Sequence, residues 1–276
     1  VSEHKDAGYT YFRLAPALSE DGQRALWQAL QEQFAAAAGD PDVQADDARS
    51  INWRDLVPPV QIPDPTAGLA PAKLERLRAA GAIVLGKTNT PEFAFGPNTV
   101  NAVFGATRNP WNLARTAGGS SGGSAAALAT GMCPIAEGTD LGGSLRGPAS
   151  HCGVVGFRTT PGLIPRHPSV LAWDTYSVEG PMARTVADAA LMLSVMAGPD
   201  ERSPISYAVD TREFLRALRA PSVKGWRIAW TPDLGGLVVV DREVREVFEA
   251  AVGVFRGAGA RMEAACPDMG EAPEIV

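Results

Sequence analysis

Two serine–glycine segments hold the residues whose types and spacing suit covalent chemistry. The first, AGGSSGGSAAALATG at 117–131, sets Ser120, Ser121 and Ser124 among glycines at the head of a helix-forming run. The second, EGTDLGGSLRGPAS at 137–150, sets Ser144 behind two glycines. A run without bulk such as Leu141-Gly142-Gly143-Ser144 can turn successive N–H groups toward one point, and such a nest is what a tetrahedral oxyanion needs. Ser144 would then be a nucleophile that contributes to its own oxyanion hole. Taken alone, the same stretch also reads as a tight structural turn with a hydrogen-bonded serine.

A serine nucleophile requires a base. His4, His151 and His167 do not supply one by pattern: His151 abuts Cys152 in sequence, and the other two fall in loop-like stretches. Cys133, Cys152 and Cys266 are odd in number and irregular in spacing, which fits buried thiols rather than a disulfide framework or a metal knuckle. No H-E-x-x-H, H-x-H or carboxylate cluster with ligand spacing occurs, so neither metal nor cofactor is expected.

The elements that must carry these serines alternate. SEDGQRALWQALQEQFAAAAGD, with Leu26, Trp27, Leu30 and Phe34 at helical spacing, predicts an amphipathic helix, and the proline-rich residues 40–68 predict a long irregular connection. From residue 70 the grammar is α/β: helix PAKLERLRAAG, strand AIVLG, helix SAAALATG, strand MCPIAEG, helix TVADAALMLSVMAG with a Thr185/Asp188 capping box, strand GWRIAWTP, and a helix from Asp241. This predicts a largely parallel, mixed sheet sandwiched between helices. Residues 1–69 read as a helical and irregular N-terminal segment, and 70–276 as the core. GAIVLGKT at 81–88 matches a phosphate-loop pattern letter for letter. Its context is wrong, because a helix precedes Gly81 and the residues between the glycines form a strand.

The 276 residues carry a net charge of −6 and no basic run interleaved with aromatics, which argues against a nucleic-acid partner. No apolar stretch is long enough to span a membrane, and the N-terminus lacks a secretion signal, so a cytoplasmic location and a small-molecule partner are expected.

Five stretches, GKTNTPEFAFG, GATRNPWN, GGSSGGSAAALATG, GTDLGGSLRGPASHCGVVGFRTTPG and GPMARTVADAALMLSVMAG, together resemble the amidase signature family, strongly over residues 70–200 and more weakly to 276. The resemblance implies an α/β/α sandwich with a mixed central sheet flanked by helices. It also implies amide hydrolysis by a Ser–Ser–Lys triad, with a small-molecule amide as substrate. It puts the nucleophile on Ser144 and the bridging serine, held on a cis peptide, on Ser120. The oxyanion hole falls on Leu141, Gly142, Gly143 and Ser144, with Ser121, Asp140 and Arg146 in support.

The family's lysine, in a V-K-D-like segment upstream, has no counterpart here. Lysines occur at 5, 73, 87 and 224 only. Lys5 precedes an aspartate but lies far upstream, Lys73 reads as part of a solvated helix face, and Lys87 belongs to another motif. The chain also reads as a fragment, and exposure of an incomplete sheet would favour association with copies of itself. A catalytically impaired homologue that binds a ligand or partner is therefore the alternative to an active amidase.

Overall fold

The computed structural model describes residues 9–13 (backbone only), 72–219 and 222–269. The helix expected over 19–39, the connection at 40–68, the boundary near residue 70, His4 and Lys5 lie outside the described residues. Two compact units divide at Arg216/Ala217.

The first unit is built on a five-stranded sheet. Its elements are β1 (Tyr9–Arg13), α1 (Ala72–Ala79), β2 (Ala82–Lys87), α2 (Gly122–Ala129), β3 (Ile135–Asp140), α3 (Arg146–Cys152), β4 (Val155–Gly156), β5 (Val178–Ala183) and α4 (Val186–Met196). Strand order is β2-β1-β3-β5-β4. The expected helices and strands of this unit form, and α4 starts as its sequence predicts: the Thr185 hydroxyl oxygen accepts from the Asp188 N–H at 3.1 Å.

One expectation is corrected. The sheet is not largely parallel, because every described pairing within it is antiparallel. The physical reason lies in the connections. β3 reaches β5 through α3, the short β4 and the long Pro- and Gly-bearing stretch 157–177, a path that does not oblige β5 to run parallel to β3 as a single crossover helix would.

Side chains alternate across a strand, and β3 divides its own between two cores. Ile135 packs with Leu74, Leu77 and Met192, on the face covered by α1 and α4. Ala136 packs with Ala125, Leu128 and Leu145, on the face covered by α2 and α3. β5 makes the same division, Ala183 to the first core and Met182 to the second. The helices on both faces are those of the expected sandwich.

The second unit contains a parallel β–α–β: β6 (Arg227–Trp230), α5 (Arg242–Gly257) and β7 (Arg261–Ala264), with β6 and β7 paired in parallel. Ile228 and Trp230 point toward α5, where Trp230 meets Phe248 at a ring-centroid distance of 6.1 Å. No described helix is long and apolar enough to cross a membrane.

Candidate active site

Both serine–glycine segments end on the same face of the sheet. Ser120 and Ser121 immediately precede α2, and Ser144 immediately follows the loop that leaves β3. The Ser121 N–H donates to the Ser144 carbonyl at 2.9 Å, which ties the two segments to each other. Ser121 is also bound to β3, its hydroxyl accepting from the Thr139 N–H at 3.2 Å. Ser120 follows a cis peptide bond from Gly119 and is buried, 1% exposed, whereas Ser144 is half-buried and open to solvent.

Two glycines are there because nothing larger fits. A Cβ on Gly119 would lie 2.7 Å from the Gly96 carbonyl oxygen and the Asn98 nitrogen. A Cβ on Gly138 would lie 2.9 Å from the Ser121 Oγ and 2.8 Å from the Met182 Sδ. Close backbone approach therefore sets the spacing of Ser120 and Ser121 over β3. Thr99, which no sequence motif singles out, completes the clamp. Its hydroxyl lies 2.8 Å from the Gly118 carbonyl and 3.2 Å from that of Ser120, and it accepts from the Gly122 N–H at 3.0 Å.

Asp140, fully buried at the end of β3, organises the loop that leads to Ser144. It accepts from the Gly143 N–H at 2.9 Å, from the Arg146 N–H at 3.2 Å and from the Arg146 guanidinium at 2.8 and 3.0 Å. Burial alone would raise its pKa, but the bonds from Arg146 and from the Gly143 and Arg146 amides outweigh that and hold the carboxyl down to about 2. The Gly143 amide is thus engaged within the loop. The N–H groups of Leu141, Gly142 and Ser144 make no hydrogen bond among the described residues.

The sign of the Asp140 shift makes an acid test. A depressed carboxylate stabilises fully above its unfolded pKa of about 3.9 and loses that contribution as pH falls toward the folded value. Acid titrations of stability should show the native chain ahead of Asp140→Asn at about pH 5 and the two converging near pH 2. A gap of constant size would contradict the role given to Asp140.

The described lysines of this unit lie on the wrong face for a base. Lys73 is not on a solvated surface, which corrects the expectation from its helix. It is 2% exposed, on the α1 and α4 face, with Nζ 2.7 Å from Glu137 Oε1 and in contact with Glu179. Burial opposes its charge, but the two carboxylates prevail and push its pKa above the ordinary lysine value. Such a lysine stays protonated. Lys87 follows a bulge in β2: Thr10 of β1 pairs with both Gly86 and Ala136, so Gly86 shares the face of Ala136, and Lys87 shares that of Glu137. Its neighbour Thr88 points the other way, its Oγ1 lying 2.8 Å from the Ser124 Oγ on the serine face. Burial lowers the Lys87 pKa, yet the sheet separates it from Ser120.

His151 stands near the C-terminal end of α3 with its ring against the backbone of Gly118, where an added Cβ would meet its Nδ1 at 2.9 Å. The thiols do not supply a base. Cys133 and Cys152 are buried, and burial pushes the Cys152 thiol up to about 11.

Three comparisons bear on this site. The family model described as Amidase matches residues 72–274. The acylamidase of Rhodococcus erythropolis is 46% identical over 203 residues, which are 73% of this chain and 42% of that protein. A glutamyl-tRNA(Gln) amidotransferase subunit from Thermosynechococcus vestitus is 46% identical over 194 residues, 70% of this chain and 40% of that protein. Among solved structures, a bacterial aryl acylamidase belonging to the amidase signature enzymes superposes with a TM-score of 0.69 at 39% identity, covering 72% of this chain and 41% of that one. The native peptide amidase of Stenotrophomonas maltophilia superposes with a TM-score of 0.64 at 34% identity, covering 74% and 43%. The chain thus spans about two-fifths of the length of the relatives it matches.

Proposed function

The chain belongs to the amidase signature family, and on that premise we propose that it cleaves the C–N bond of a carboxylic amide through an acyl-enzyme on Ser144. The observation that carries this reading is the hydrogen bond from Ser121 N–H to the Ser144 carbonyl, which holds the buried Ser120 and the accessible Ser144 in one site. In this scheme the Ser144 Oγ attacks the amide carbon as its proton passes to the Ser120 hydroxyl. The carbonyl oxygen takes up negative charge against free backbone N–H groups. Collapse breaks the C–N bond, the proton returns through Ser120 to the leaving nitrogen, and water then releases the acid. The relay ends on an unprotonated amine on the serine face of the sheet. Lys73 and Lys87 are on the other face, and Lys5 lies outside the described residues.

That placement of Lys73 and Lys87 favours one second reading, a homologue that keeps the fold and binds an amide ligand without turning it over. Intact mass after treatment with a fluorophosphonate separates the two. A single adduct, lost in Ser144→Ala, is expected for an assembled acyl-transfer site. Folded protein that takes up no adduct would refute the proposal in favour of the binding reading.

A further inference from the structure

Sequence motifs put Asp140 and Arg146 in support of the nucleophile and leave Arg158, 18 residues beyond Asp140, without a role. In the structure its guanidinium reaches back to β3. Nη1 donates to the Asp140 Oδ1 at 2.8 Å and to the Asp140 backbone carbonyl, and Nη2 donates to the Tyr176 carbonyl at 2.8 Å. The contact to the Asp140 carbonyl has a geometric consequence. In a planar trans peptide the C=O of one residue and the N–H of the next point in opposite directions. A guanidinium that holds the Asp140 carbonyl therefore aims the Leu141 N–H away from itself.

The other peptides of the loop are fixed in comparable ways. The Gly143 carbonyl accepts from the Gly147 N–H at 2.7 Å, which turns the Ser144 N–H away from α3. The Gly143 N–H is taken by Asp140. The first and last amides of Leu141-Gly142-Gly143-Ser144 thus have set directions and no protein acceptor among the described residues. Ser144 owes its direction to the first turn of α3, and Leu141 owes its own to two holds on the Asp140 carbonyl, the pairing of Asp140 with Val178 at the end of β3 and the Arg158 guanidinium that closes on it from outside the sheet.

We propose that Arg158 is a positioning residue for acyl transfer, acting through the Asp140–Leu141 peptide plane to present the Leu141 N–H as an oxyanion donor. The inference rests on the reading of Ser144 as the acylated residue. Arg158 touches no reacting atom, so its loss should weaken transition-state stabilisation and leave ground-state binding in place.

The test compares Arg158→Met, which removes every donor, with Arg158→Gln, which stays polar but is two bonds shorter, and Arg158→Lys, which keeps one charged donor. The rate of fluorophosphonate adduct formation on Ser144 should fall about 10²-fold or more in Arg158→Met and Arg158→Gln, the scale of losing one oxyanion donor. Arg158→Lys should restore most of it. With an aryl amide the loss should appear in kcat while KM stays within about threefold. An unchanged adduct rate in either folded short variant overturns the proposal, as does a loss confined to KM. Should the native chain form no adduct, the reading of Ser144 fails by itself. The crystal structure of Arg158→Gln then decides on Arg158: a turned or split Asp140–Leu141 peptide upholds its role, and an unmoved one ends it.

Discussion

Replacing Ser120 with alanine should slow amide hydrolysis almost as much as replacing Ser144, by about 10⁴-fold or more, and the double replacement should cost no more than the worse single one. Residues that act as one unit do not add. Ser144 without a proton acceptor is an ordinary hydroxyl, and Ser120 without a nucleophile relays nothing. The structure gives the pair different environments, one serine sealed beneath the glycines and one open, so only Ser144 is expected to hold an adduct. Steady-state rates of the four forms on one aryl amide, each shown to melt cooperatively, make the cycle. Losses that multiply, or a Ser120→Ala form within tenfold of the native rate, would remove Ser120 from the mechanism.

The second large effect lies on the other face of the sheet. Lys73→Met should destabilise the first unit by about 3–5 kcal/mol, because it takes away the cation that two buried carboxylates share. Glu137 and Glu179 come from neighbouring strands, and Arg166 Nε stands 3.9 Å from Glu179 Oε1, too far to replace a direct partner. A triple variant with Lys73→Met, Glu137→Gln and Glu179→Gln should recover much of the loss, since the cost is that of uncompensated charge. The raised lysine pKa fixes the sign with pH. The contribution is complete below the unfolded value of about 10.4 and fades as pH rises through the higher folded value, so the native chain should lose stability in strong alkali and Lys73→Met should not. Urea titrations across pH measure both. A single substitution costing under about 1 kcal/mol would show that water reaches the cluster.

Much of this architecture is legible in the residues, and the parts that are not share a cause. Helices such as α4, with its Thr185 cap, and strands such as β3 follow from local pattern, and the resemblance of five ordered motifs draws Ser120 and Ser144 into one reading. Strand direction does not follow, because antiparallel pairing of β3 with β5 is settled by contacts some forty residues apart in the chain. Lys73 reads as solvated only by its type. Its position beside Leu74 and four before Leu77 places it on the buried stripe of α1, and Glu137 and Glu179, carboxylates inside two central strands, are the available sign of a buried partner. Arg158 leaves no such sign, since what makes it matter is a bond to a carbonyl rather than to a side chain.

The alternation of β3 bears on which length changes this protein can tolerate. Ile135, Glu137 and Thr139 serve one face, and Ala136, Gly138 and Asp140 serve the other. A one-residue deletion anywhere in 135–139 would exchange the two sets upstream or downstream of the cut, setting a carboxylate where the hydroxyl of Ser121 needs a bare backbone, or turning Asp140 away from its arginines. The stretch 167–177 carries no such parity, with Val170, Leu171 and Trp173 largely exposed. Natural variation in chain length among close relatives is therefore expected to collect in that stretch and to be absent from the six residues of β3, a pattern set by the geometry of a pleat rather than by the chemistry at its end.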